Sequence, residues 1–294
     1  MSRRRASADR PNIVVLCCDG VYQRYLVRRL HEAYGVSGVV VHRPPNAKGS
    51  VWERLQRYMD PARLGRYLVA RWDMARAARE AAPLVETLFG PGGALAAFPA
   101  GIDVETVEDI NAPQAVDFVA RHAPDVVCVN GTNLLRGPML VLQPEFPLGF
   151  INLHTGLSPY TRGGNCNLFA LLEGHPEWVG VTAHHIDPGI DSGDLIITAQ
   201  VPMSEGDNYD MIDARTFRLG ADVMETAVRQ LVDGRAERVP QWQKGRLYLK
   251  RTGFVYEPYY RYRVNRLLKR GLVRSYLADK EARDAGVRLV GAVH

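Results

Sequence analysis

Short runs of consecutive apolar residues alternate along the chain with longer stretches in which apolar positions recur every three or four residues. The first pattern belongs to a strand buried on both faces, the second to an amphipathic helix. Residues 12–17 read as the first strand, Asp19-Gly20 ends it, and 21–34 follow at helical spacing through Leu26, Leu30 and Ala33. Residues 36–41 form a second strand, closed by Pro44-Pro45. Between 50 and 90 Arg, Ala and Leu dominate, which predicts one or two helices ending at a glycine turn over 90–93. Asn111 is placed to cap a helix with Pro113 in its first turn, running to about His122. Further strands are expected at 126–130, 150–153, 180–186 and 195–201. A long helix over 210–233 then presents Ile212, Phe217, Leu219, Val223, Ala227 and Leu231 as its core stripe. A small hairpin turning at Gly245 is expected over 238–250, and a helix over 263–278. Strands alternating with helices predict an α/β fold, an open and mostly parallel Rossmann-like sheet. The chain divides into a disordered basic terminus at 1–10, a main domain at 11–205, and a C-terminal extension at 206–294 of long helix, hairpin and basic aromatic tail.

Composition narrows the class. Of 294 residues 46% are apolar, enough for a sizeable core. The net charge of +5 is modest, and Arg3, Arg4 and Arg5 carry part of it. The four cysteines show no C-x-x-C spacing, which argues against a disulfide framework and a structural zinc site. No apolar signal region follows the Arg-rich start and no apolar run approaches the ~20 residues of a membrane span, so a soluble cytoplasmic protein is expected. The first strand-to-helix turn, Cys18-Asp19-Gly20-Val21-Tyr22, holds one glycine and a carboxylate where a dinucleotide site needs glycines facing phosphate. It reads as an ordinary turn.

Chemistry concentrates between 150 and 200. Residues two apart in a strand share a face, so Asn152 and His154, at the carboxyl end of an apolar strand, present an amide and an imidazole side by side. That end of a parallel strand is where open α/β sheets place ligands. The glycine-rich loop D-P-G-I-D-S-G carries Asp191, which can reach back toward His154, with Asp187 as a rival carboxylate. Amide, imidazole and carboxylate together suit attack on a carbonyl. The amide stabilises the oxyanion of a tetrahedral intermediate, and the imidazole, oriented by a carboxylate, moves a proton. His184 and His185 point to opposite faces of their strand, so one of them can line a cleft. A metal site is not expected from these histidines and aspartates, since no same-face pair has ligand spacing.

N-x-H followed by Gly156-Leu157-Ser158-Pro159, then Arg162-Gly163, G-V-T-A-H and D-P-G-I-D-S-G resembles the 10-formyltetrahydrofolate-dependent formyltransferase family, which includes glycinamide ribonucleotide, methionyl-tRNA and amino-sugar formyltransferases. The resemblance spans about residues 124–203 and makes 11–205 the catalytic domain. It implies that Asn152, His154 and Asp191 are catalytic and that 10-formyltetrahydrofolate is the formyl donor, with no metal. It further implies that folate lies against Gly131, Thr132, Leu134, Leu135, Ile186, Asp187 and Gly189. Ser158, Tyr160 and Arg162 become candidate acceptor contacts. The G-L-S-P loop is nearer to amino-sugar enzymes, although Thr161 is inserted into their Y-R-G, and residues 204–294 do not resemble the tRNA-binding domain of the methionyl-tRNA enzymes. The expected acceptor is therefore a small-molecule primary amine, such as a nucleotide-linked amino sugar or a natural-product intermediate, rather than nucleic acid or a membrane. A deformylase passing the group to water is the alternative, a methionyl-tRNA formyltransferase the lesser one, and a homodimer is left open.

Overall fold

The computed structural model describes residues 10–45, 60–91, 97–249 and 258–291. Most of the basic terminus and parts of the expected helical, turn and tail segments lie outside these residues. Seven strands form one sheet in the order β3-β2-β1-β4-β5-β7-β8. They are β1 (Ile13–Cys18), β2 (Val36–His42), β3 (Asp103–Val107), β4 (Val126–Asn130), β5 (Gly149–His154), β7 (Gly180–His185) and β8 (Leu195–Gln200). Neighbours from β3 through to β5 pair in parallel, while β5–β7 and β7–β8 are antiparallel. The sheet is thus mostly parallel, as the alternating pattern predicts. Central β1 is fully buried from Ile13 to Cys17, which its uninterrupted apolar run requires.

Helices α1 (Val21–Tyr34), α2 (Pro61–Phe89), α3 (Pro113–His122), α4 (Gly137–Val141) and α5 (Cys166–Leu172) connect the strands, followed by α6 (Tyr209–Val232). The segment after residue 60 is one helix of 29 residues despite Pro83. Asp60 caps it by accepting the Ala62 and Arg63 N–H groups. Helix α6 buries Ile212, Val223 and Ala227 of the expected stripe together with Thr216 and Gly220. A Cβ at Gly220 would lie 3.0 Å from the Leu153 side chain, so glycine lets α6 settle closely on β5.

Four local expectations change. Strand β3 is absent from the sequence reading because it is an edge strand in which only Val107 is buried, leaving no apolar run to see. Asn111 does not cap α3, since Ala112 holds that position. Its side chain instead accepts the Arg136 N–H at 2.7 Å and donates to Leu134 O at 3.0 Å, pinning the segment after β4. Among the described residues the expected hairpin is a single strand, β9 (Arg246–Tyr248), paired in parallel with β6 (Thr161–Gly163). Gly245 serves close approach rather than a turn, for a Cβ there would meet Pro159 O at 1.8 Å. The helix expected over 263–278 is two, α7 (Pro258–Lys269) and α8 (Leu272–Ala278), broken at Gly271 with φ 93°. A short α9 (Lys280–Asp284) follows, and Val290 O then accepts the Thr198 N–H of β8.

Candidate active site

Two chain crossings build the site. Asn152 and His154 end β5, whose backbone pairs with β7, while the loop between β7 and β8 returns Asp191 to the same place. His154 is 5% exposed, and its Nδ1 lies 3.4 Å from Asp191 Oδ2. Its Nε2 lies 3.3 Å from Thr161 O. Both ring nitrogens therefore face oxygen acceptors, an arrangement that an imidazolium would satisfy fully. Burial opposes that charge and pushes the His154 pKa down, with Asp191 pulling the other way. The ring fits because residue 156 is glycine: a Cβ there would sit 2.4 Å from His154 Nε2.

Asp191 adopts φ 46°, a left-handed conformation that Asp tolerates better than most residues. Its Oδ2 accepts the Gly163 N–H at 2.9 Å and its Oδ1 lies 3.3 Å from Asn152 Nδ2. Gln241 Nε2 donates to Asp191 O at 2.8 Å and Gly193 O at 3.0 Å, fixing the loop from the far side. Burial favours the neutral acid, but His154, His184 and the Gly163 N–H outweigh it and hold the carboxyl well below the usual carboxylate range. Asp187, the sequence-level rival, turns away from the imidazole. Its carboxylate accepts Gly189 N–H at 3.1 Å and Ser192 O–H at 2.9 Å, which braces its own loop.

The sequence leaves open which neighbouring histidine joins the site, and the geometry places His184 there. His184 Nδ1 donates to His185 O at 2.8 Å, so its Nε2 is the acceptor for Asn152 Nδ2 at 3.1 Å. Both amide protons of Asn152 are thus engaged, and the 3.3 Å contact to Asp191 is the longer one. His185 points the opposite way, toward a pocket shared with Gln143, Phe146 and Arg238, and its buried Nε2 has no partner.

A cleft of about 450 Å³, open to solvent on one side, adjoins the cluster. Thr132, Leu134, Leu135, Ile186, Asp187 and Gly189 line it, six of the seven positions expected from sequence, along with Asn152, His184 and Asp191. Gly131 does not line it and packs instead against Cys18, where its Cβ would meet Sγ at 2.9 Å. Val129 and Asn133 are lining residues the sequence reading missed. Apolar walls with a polar edge suit a flat heterocycle bearing hydrogen-bonding groups. The proposed acceptor contacts fare differently. Ser158 is fully buried, and Tyr160 is buried with its hydroxyl accepting the Arg288 N–H at 2.6 Å. Neither has an open face toward a ligand. Arg162 lies on β6 and lines neither this cleft nor the pocket beside His185.

Residues 101–228, which hold Asn152, His154 and Asp191, match the family model described as formyl transferase. This segment is a formyl transferase domain. The chain is 32% identical over 154 residues to a methionyl-tRNA formyltransferase of Syntrophus aciditrophicus, covering 52% of this chain and 48% of that protein. It is 30% identical over 165 residues to one from Chlorobium chlorochromatii, covering 56% and 48%. The chain spans about half the length of the curated relatives it matches. In fold, the formyl transferase domain and its flanks resemble glycinamide ribonucleotide transformylase 1 from Symbiobacterium toebii, with a TM-score of 0.52 at 22% identity over 80% of this chain and 95% of that one. Phosphoribosylglycinamide formyltransferase from Anaplasma phagocytophilum aligns with a TM-score of 0.50 at 16% identity, covering 82% and 100%. Among the described residues no helix is long and apolar enough to cross a membrane.

Proposed function

We propose that this protein transfers a formyl group from 10-formyltetrahydrofolate to the primary amine of a small molecule. The observation that carries the reading is the juxtaposition of Asn152, His154 and Asp191 beside a cleft with apolar walls, within a formyl transferase domain. The folate supplies the formyl group on its N10 nitrogen. In the overall reaction the acceptor nitrogen bonds to the formyl carbon, the carbon–N10 bond breaks, and one proton passes from the acceptor nitrogen to N10. Thr132, Leu134, Leu135, Ile186, Asp187 and Gly189 would hold the folate, with His184 and Asn152 at the polar edge of its cleft.

Asn152 then meets the negative charge that develops on the carbonyl oxygen by turning the proton of its longer bond away from Asp191. His154, neutral because it is buried, takes on its Nε2 the proton that the attacking nitrogen must lose, and Nε2 gives up its 3.3 Å contact with Thr161 O to do so. Asp191 stays ionised throughout and stabilises the resulting imidazolium across 3.4 Å.

A second reading is transfer to methionyl-tRNA, favoured by the names of the matched relatives. The full chain incubated with 10-formyltetrahydrofolate separates the outcomes. Tetrahydrofolate released only with small amines, together with a mass gain of one formyl on the amine, supports the proposal. Release that needs charged methionyl-tRNA supports the second reading. Release in water alone points to a deformylase, and no turnover with a folded chain would sink all three.

A further inference from the structure

A second pocket begins where the reactive strand ends. Thr155, the residue after His154, lines it with Asn165, Tyr209, Asp213, Phe217 and Arg261, and it shares no lining residue with the folate cleft. Its empty space is about 520 Å³ counted out to solvent. The polar groups around it are unequally occupied. Asn167, at its back, exchanges hydrogen bonds with both backbone atoms of Gly180 at 3.0 Å and donates to Thr216 at 3.2 Å. Arg261 pairs with Asp210 at 2.6 Å and stacks over the Tyr209 ring at 5.0 Å. Asp213 has neither a hydrogen bond nor an ion pair among the described residues, although it sits half-buried in the pocket wall.

A half-buried carboxylate with no hydrogen-bonding partner has lost part of its hydration, and a ligand cation in the pocket would replace it. The charges around the pocket give its sign. Arg261 is neutralised by Asp210, so Asp213 leaves the wall with a net negative charge. Phe217, stacked with Tyr22 at 4.4 Å between ring centres, adds an aromatic surface. A phosphate would be repelled here. A short alkyl chain ending in an ammonium would be held by charge and by aromatic contact together.

We infer that this pocket receives the acceptor and that Asp213 binds a second, non-reacting ammonium group on it, making the preferred acceptors small diamines without phosphate next to the reacting nitrogen. The inference rests on the formyl-transfer reading for what the pocket is used for, but not for what it binds. Burial also pushes the Asp213 carboxyl up to about 6 against the pull of Arg261, which leaves it mostly ionised at pH 7.

The test is calorimetric binding of 1,4-diaminobutane, butylamine and phosphoethanolamine to the full chain without folate. Diaminobutane should bind about tenfold or more tighter than butylamine, as a charge-assisted hydrogen bond contributes, and phosphoethanolamine should bind most weakly. Asp213→Asn, which removes no hydrogen bond or ion pair found among the described residues, should bring diaminobutane and butylamine level. Equal binding of the two amines to the unmodified protein would overturn the inference. So would preference for phosphoethanolamine, no binding of diaminobutane, or an Asp213→Asn variant that keeps the discrimination. Asp213-dependent binding without folate turnover under any acceptor condition would sink the formyl-transfer reading while the binding assignment stood.

Discussion

His154 Nδ1 and Asp191 Oδ2 stand 3.4 Å apart although 37 residues separate them, and Asp191 reaches that point from a backbone with φ 46°. Positive φ in a residue other than glycine costs on the order of 1 kcal/mol and persists only where the surroundings impose it. Here Gly163 N–H and Gln241 impose it. If this geometry serves proton transfer and charge stabilisation, His154→Ala, Asp191→Asn and Asn152→Ala should each lower kcat by roughly 10²–10³-fold. The loss in His154→Ala/Asp191→Asn should fall well short of the product of the single losses, because the two residues act as one unit. Steady-state kinetics on the four variants, with circular dichroism to establish folding, checks this.

The same pair fixes the pH profile of the proposed reaction. His154 must be neutral to accept a proton, and burial lowers its pKa from 6.5. The acid limb of kcat should therefore lie below pH 6.5, with the rate independent of pH from there to neutrality. Asp191 titrates too low to add a limb in that range. A limb above pH 7 that disappears in His154→Ala would contradict the assignment.

Acid should also weaken the fold through His185. Burial, with the Arg238 charge, pushes its pKa from 6.5 to about 4. Between those values the unfolded chain binds a proton that the folded chain does not, so stability falls as pH drops from 6.5 toward 4, by about 2 kcal/mol. His185→Phe should flatten this part of a plot of Tm against pH, and an unchanged slope would show that other groups dominate it.

Gly156→Ala tests the packing that seats the imidazole. The added Cβ would fall 2.4 Å from His154 Nε2 and 2.6 Å from Cys166 Cβ, so the ring or α5 must move. A loss of about 1–3 kcal/mol in stability is expected, with turnover falling further than stability alone explains. Chemical denaturation and kinetics on one preparation measure both.

Asp213→Asn should make the protein more stable while weakening acceptor binding. The folded-state pKa of Asp213 is raised from 3.8 to about 6, so its ionised form opposes folding at neutral pH and the opposition fades as pH falls through 6. Allowing for its half-buried position, relief of about 1–2 kcal/mol at pH 7 is expected, read as a higher Tm. At pH 4 the variant and the parent should melt nearly together.

The alternation of apolar runs located six of the seven sheet strands, because each is mostly buried and keeps an apolar run or an apolar alternation. Polar β3 left no such trace. The order Asn152, His154, Asp191 was readable because strand period and glycine-loop position both act locally. Ranking Asp191 over Asp187 needed coordinates, since both lie in one loop and only their hydrogen bonds separate them. The lining of the cleft proposed for folate was largely legible for the same local reason. The second pocket was not, because Thr155, Asp213 and Arg261 are far apart in sequence and meet only when α6 and α7 pack.

Gln241 lies beyond the matched stretch of 101–228, yet it holds the backbone of Asp191. A graft of 101–228 onto another scaffold would carry Asn152, His154 and Asp191 and still leave the loop that holds Asp191 without this anchor. Inheriting the motif is therefore a weaker condition than inheriting the site. Substitutions in the tail can drift into catalysis without touching a residue that any motif names.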